Sequence, residues 1–180
     1  GSVFGVVGVA LLIEAQRGEG WFLLATFGTG AAFAQGIGRL RCLVQGCCHG
    51  RPPPAAVGIR YLHPRSRVVR LAALEGVPVH PTPLYSLLWL FVVGGVMIRL
   101  WFADAAPTFI VGAYFILAGL GRFVEEHFRG EPQTATYAGL RFYQWLAVLF
   151  VVAGAVITTL PESPMPPAGL PPLRSLGPLL

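Results

Sequence analysis

Residues 84–102 read LYSLLWLFVVGGVMIRLWF, nineteen positions with one charge among them. About 18 consecutive apolar residues suffice to cross a bilayer, and a run this uniform has no polar face to offer water. Four further apolar segments flank it, at residues 3–15, 21–43, 108–127 and 140–160. Charged residues make up 12% of the chain and mean hydropathy is +0.65, against about 25% charged residues in an ordinary soluble domain. The pattern predicts an integral membrane protein. Its fold class is all-α, a polytopic transmembrane helix bundle of about five hydrophobic helices spanning residues 1–160. Trp89 and Trp101 lie towards the ends of the cleanest span, as in an interfacial aromatic belt. Gly28, Ala32 and Gly36 recur at helical spacing and permit close helix approach. Residues 161–180 hold seven of the sixteen prolines and read as a flexible tail.

Charge is distributed unevenly. All thirteen basic residues are Arg, and seven of them lie between Arg39 and Arg70. If five spans alternate, one membrane face collects Arg39, Arg41, Arg51, Arg122, Arg129 and Arg141. On charge alone that face is cytoplasmic. Two positions ask for more than topology. Arg39 follows Gly-Ile-Gly and Arg122 follows Gly-Leu-Gly, both still inside apolar runs. Ionisable groups at membrane depth are costly and mark pathways or sites. The glycines are expected to leave room beside each guanidinium, whose planar fork suits a phosphate. Glu126 stands four residues after Arg122, the spacing of a same-face ion pair. A purely structural pair is the competing reading.

The segment GRLRCLVQGCCHGRP, residues 38–52, resembles the signature of the prolipoprotein diacylglyceryl transferase family, with Arg39 on its essential Arg and Gly50-Arg51 on its closing Gly-Arg. HPTPLYS, from His80 to Ser86, is similar to the family's His-Pro-x-x-Leu-Tyr-Glu element and brings in His80 and Tyr85. GRFVEEHFRGEP resembles its Arg-x-x-x-Glu-Phe-x-Arg element and brings in Arg122, Glu126 and Arg129. Gln144 matches the Gln opening the last span, and Tyr114 lies one turn before the position of a family Tyr that is Ala118 here. Arg41-Cys42 replace the family's Gly-Asn, Gln45 and Cys47 replace its later Asn and Glu, and Ser86 replaces a Glu. The chain therefore reads as a divergent Cys-rich branch of that family, or a fragment lacking the N-terminal spans.

The resemblance implies a reaction. The diacylglyceryl group of phosphatidylglycerol passes to the lipobox Cys thiol of a prolipoprotein signal peptide, and glycerol phosphate leaves. No metal or cofactor is required. The site would face the periplasmic or extracellular side of a bacterial cell membrane, opposite to the charge-only assignment. The implied catalytic residues are Arg39, Arg122, Glu126 and His49, with His49 as base for the incoming thiol. The substrate-binding set is Gly50, Arg51, His80, Tyr85, Tyr114, Arg129, Gln144, Cys42 and Gln45. A divergent member with other lipid or thiol chemistry, and a non-catalytic lipid-binding or assembly protein, stay open as alternatives.

Cys42, Cys47 and Cys48 admit four readings. They are packing, a disulfide of Cys42 with either neighbour, a functional thiol, or a zinc site with His49 and perhaps His80. Adjacent Cys side chains diverge on most backbones, so no metal is expected. His63 reads as solvated surface.

Overall fold

The computed structural model describes residues 8–11, 13, 19–53, 58–130 and 135–161. Most of the segment at 3–15 and the tail beyond 161 therefore lie outside the described residues. Four long helices dominate: α1 (Gly20–Gln45), α3 (Thr82–Phe102), α4 (Pro107–Phe128) and α5 (Phe142–Thr158), with a short α2 (Arg67–Ala72) between α1 and α3. Their bounds fall within about two residues of four of the five apolar segments. Among the described residues α3 and α4 are long and apolar enough to cross a membrane, and α5 is a shorter apolar helix. At 1.5 Å per residue the 21 residues of α3 extend about 32 Å, the thickness of a hydrocarbon core.

The fold is not purely helical. Two antiparallel pairs of two-residue strands occur, β1 (Ile59–Arg60) with β2 (Pro78–Val79) and β3 (Thr136–Tyr137) with β4 (Leu140–Arg141). Both sit in connections between helices, where the backbone lacks helical partners and takes them from a neighbouring strand. The start of the connection after α1 is held against the bundle by backbone hydrogen bonds. Gly50 N–H donates to His80 O at 2.9 Å, and Arg51 N–H donates to Phe128 O at 3.0 Å. These bonds tie the α1 end, the α3 start and the α4 end into one layer.

Helix order follows from small residues. Gly28, Ala32 and Gly36 are all buried on α1. A Cβ at Gly36 would stand 3.0 Å from the Phe91 ring on α3. The helices α4 and α5 meet backbone to backbone. A Cβ at Gly154 would come within 2.6 Å of Gly112 O, and one at Gly112 within 2.8 Å of Gly154 O. Backbone cannot yield there as a flexible side chain would. We therefore expect Gly154→Val to destabilise the bundle by about 2–3 kcal/mol, read as a lower melting temperature in detergent. Gly95→Val, where nothing lies within 4 Å, is the matched control and should have little effect.

Candidate active site

The charged end of the bundle is assembled by antiparallel alternation. The C-terminal parts of α1 and α4 meet the N-terminal ends of α3 and α5, which brings Arg39, Arg122 and Tyr85 to one cavity and Arg141 within reach of Glu126. The centre is Glu126, fully buried on α4. Its carboxylate pairs with Arg122 at 3.3 Å, Arg129 at 3.2 Å and Arg141 at 3.7 Å. Glu125, also buried, pairs with Arg122 at 3.0 Å and reaches across to Arg39 on α1 at 3.4 Å. One carboxylate thus joins the two arginines of the Gly-x-Gly-x-Arg runs, 83 positions apart in sequence. The Arg122 and Arg129 guanidiniums also lie 5.2 and 5.9 Å from the centroid of the Tyr143 ring. Among the described residues, four guanidiniums of this network face two carboxylates.

Arg39 and Arg122 line one cavity of about 380 Å³, together with Gln35, Tyr85, Ser86, Trp89 and Glu125. A second cavity of about 840 Å³ runs between α1, α4 and α5, walled mainly by apolar and aromatic residues such as Phe27, Phe115, Tyr143 and Phe150. Gln35, Ala118 and Arg122 border both. Arg122 is thus placed where a charged cleft adjoins an apolar chamber. Tyr114 lines the larger cavity, where its hydroxyl accepts a hydrogen bond from Gln35 at 2.9 Å.

The remaining predicted residues divide by position. Tyr85 lines the smaller cavity, and its hydroxyl lies 3.2 Å from His80 Nδ1. Arg129 braces Glu126 from outside the cavity lining. Gly50 is buried, and a Cβ there would collide with His80, so its place is a backbone latch. Arg51 joins the same latch through its main chain while its side chain is exposed. Gln144 is buried at the start of α5, where its side-chain oxygen accepts from Arg141 N–H at 3.0 Å. It holds the arginine that reaches Glu126. Gln45 is exposed, and Cys42 and His49 lie outside the lining of both cavities. His49 is buried, with no hydrogen-bond partner at Nδ1.

The expectation that glycines make room beside each guanidinium needs correction. Gly36 faces Phe91, Gly119 faces Ala147 and Val151, and a Cβ at Gly121 would strike the Trp89 indole. Three of the four glycines pack helices; only Gly38 opens onto free space. Sequence reasoning also missed Gln35 and Trp89, which carry no charge to single them out, and the Glu125–Arg39 pair.

No disulfide joins Cys42, Cys47 and Cys48. Burial, then the neighbouring Cys42, pushes the Cys47 thiol up to about 12. A thiol with that pKa is a poor nucleophile near neutrality, so we expect Cys47 in metal-free protein to alkylate far more slowly than a free cysteine at pH 7.5, measured by mass-tag labelling.

A model of the prolipoprotein diacylglyceryl transferase family matches residues 1–160. The chain belongs to that family. Among curated relatives, it is 28% identical over 155 residues to phosphatidylglycerol–prolipoprotein diacylglyceryl transferase 2 of Clostridium perfringens, covering 85% of this chain and 57% of that protein. It is 25% identical over 155 residues to the transferase of Clostridium tetani, covering 85% of this chain and 59% of that protein. The Azospirillum brasilense transferase is 32% identical over 165 residues, with 86% and 57% covered. The chain thus spans somewhat over half the length of these relatives. Membership fits the apolar helices and the resemblance carried by Arg39, Arg122 and Glu126.

Proposed function

We propose that this protein transfers the diacylglyceryl group of phosphatidylglycerol to the lipobox Cys thiol of a prolipoprotein signal peptide. It would do so at the outer face of a bacterial cell membrane, as part of a bundle of about five spans. The observation that carries this reading is the pairing of Arg39 and Arg122 through Glu125 at one cavity wall. A phosphodiester there gains charge-assisted bonds from both guanidiniums. The lipid's acyl chains take the apolar chamber bordered by Arg122.

Charge accounts for the chemistry. Attack by the thiolate sulfur on the glycerol carbon forms a C–S bond and breaks a C–O bond. The departing glycerol phosphate gains negative charge as it leaves. The guanidiniums of Arg39 and Arg122 are held in place before the reaction by Glu125 and Glu126, so stabilising that charge costs little reorganisation. The thiol proton passes to His80 by way of the Tyr85 hydroxyl, because this imidazole is hydrogen-bonded to a residue of the cavity wall. His49 lines neither cavity. General-base assistance typically contributes about 100-fold or more. Tyr85→Phe should therefore slow transfer by tenfold or more, while phosphatidylglycerol still binds.

The test is incubation of the full-length protein with phosphatidylglycerol vesicles and a synthetic lipobox peptide, followed by mass spectrometry. A peptide heavier by one diacylglyceryl group is the expected product. Lipid binding with no modified peptide would refute the transferase reading.

A further inference from the structure

The seven residues Cys42 to Cys48 bring three thiols to one point. Their Sγ atoms all lie within 4.8 Å of one another. Local backbone explains how. Gly46 caps α1 in the left-handed region at φ 67°, and Cys47 N–H turns back to the Cys42 carbonyl at 3.2 Å. Cys48 is itself left-handed, at φ 58°, a conformation uncommon outside glycine. That turn cancels the usual divergence of adjacent side chains, which was the ground for expecting no metal.

We propose that Cys42, Cys47 and Cys48 form a three-thiolate site for one thiophilic cation, zinc(II) or copper(I), at the end of α1. A Zn–S bond of about 2.3 Å sets sulfurs about 3.8 Å apart in a tetrahedron and about 4.0 Å apart in a trigonal plane. The observed cluster needs only a small contraction to reach either. Each coordinating thiol releases its proton to solvent. Zinc then leaves a net charge of −1 and copper(I) a net charge of −2. Arg129, whose Nη2 lies 3.3 Å from Cys48 Sγ, supplies a compensating positive charge. The C-terminal end of α1 favours a cation through its exposed carbonyls. Soft thiolates select these metals over magnesium or calcium. None of the three cysteines lines either cavity, so the site is separate from the proposed transferase chemistry. Its connection is Arg129, which also pairs with Glu126 at 3.2 Å. A bound cation would therefore steady the outer side of the arginine network.

The test uses the full-length protein, purified reduced in detergent and stripped with chelator. Cobalt(II) serves as the optical probe, and zinc(II) and copper(I) are titrated separately against chromophoric competitors. One equivalent per chain with sulfur-to-cobalt charge-transfer bands is expected, and the two competition arms identify the preferred metal. Cys42→Ser and Cys47→Ser should each weaken binding at least tenfold with helical circular dichroism unchanged. If Cys47→Ser fails to fold, the half-buried Cys42 carries the test. Binding no tighter than that of the triple Ser variant would overturn the site, as would a disulfide in the reduced protein after metal addition. Lipobox transfer is assayed in parallel. Metal binding without transfer supports the site and refutes only the transferase reading; transfer without metal binding does the reverse.

Discussion

Arg122→Lys and Arg39→Lys should each abolish most transfer to a lipobox peptide although both keep their positive charge. Lysine offers a point charge where arginine offers a planar fork. A charge-assisted hydrogen bond contributes about 1.5–3 kcal/mol, so losing one bond of the fork reduces the rate by roughly 10- to 150-fold, at 1.4 kcal/mol per tenfold. Arg122 should fall at the upper end. It pairs with both buried carboxylates, at 3.0 and 3.3 Å, and stacks on Tyr143. Arg39 has one such tie, at 3.4 Å, and should fall lower, retaining at most about a tenth of the activity. Arg65 is exposed on the connecting loop, and Arg65→Ala should stay within about twofold. Initial rates from mass spectrometry separate these cases. Equal rates for Arg122→Lys and wild type would remove the bidentate argument.

Glu126→Gln should unfold the charged end before it alters any chemistry. The substitution preserves shape but leaves Arg122, Arg129 and Arg141 around a neutral amide. Removing one partner of a fully buried ion pair costs about 3–5 kcal/mol. The three guanidiniums here keep 27%, 13% and 30% side-chain exposure, so water recovers part of that. We expect a loss of about 2–3 kcal/mol, measured as an earlier denaturation midpoint in detergent. Glu75→Gln, on an exposed loop position, should leave the midpoint unchanged. Wild-type stability for Glu126→Gln would mean that the buried carboxylate does not hold the arginines.

The parts of this architecture that follow local rules were legible in the sequence. Four helices could be read from apolar runs, and two of them, α3 and α4, have the length and composition to cross a membrane. The Arg122–Glu126 pair could be read from its spacing because one helix turn fixes it. The Glu125–Arg39 contact could not, since it depends on how α1 and α4 dock. The same docking decides what a glycine does: Gly121 looks like open space beside Arg122 in one dimension but lies against Trp89 in three. The thiol cluster was hidden by the turn after α1, where Gly46 and Cys48 are both left-handed. Gln144 was legible as a position but not as a helix cap that aims Arg141 at Glu126.

The shared-phosphate claim is tested most directly by an experimental structure of the full-length protein in phosphatidylglycerol nanodiscs. The account predicts lipid phosphate oxygens within hydrogen-bond distance of both the Arg39 and Arg122 guanidiniums, with acyl chains in the chamber lined by Phe115 and Phe150. A phosphate held by only one of these arginines, or acyl chains outside both cavities, would contradict it.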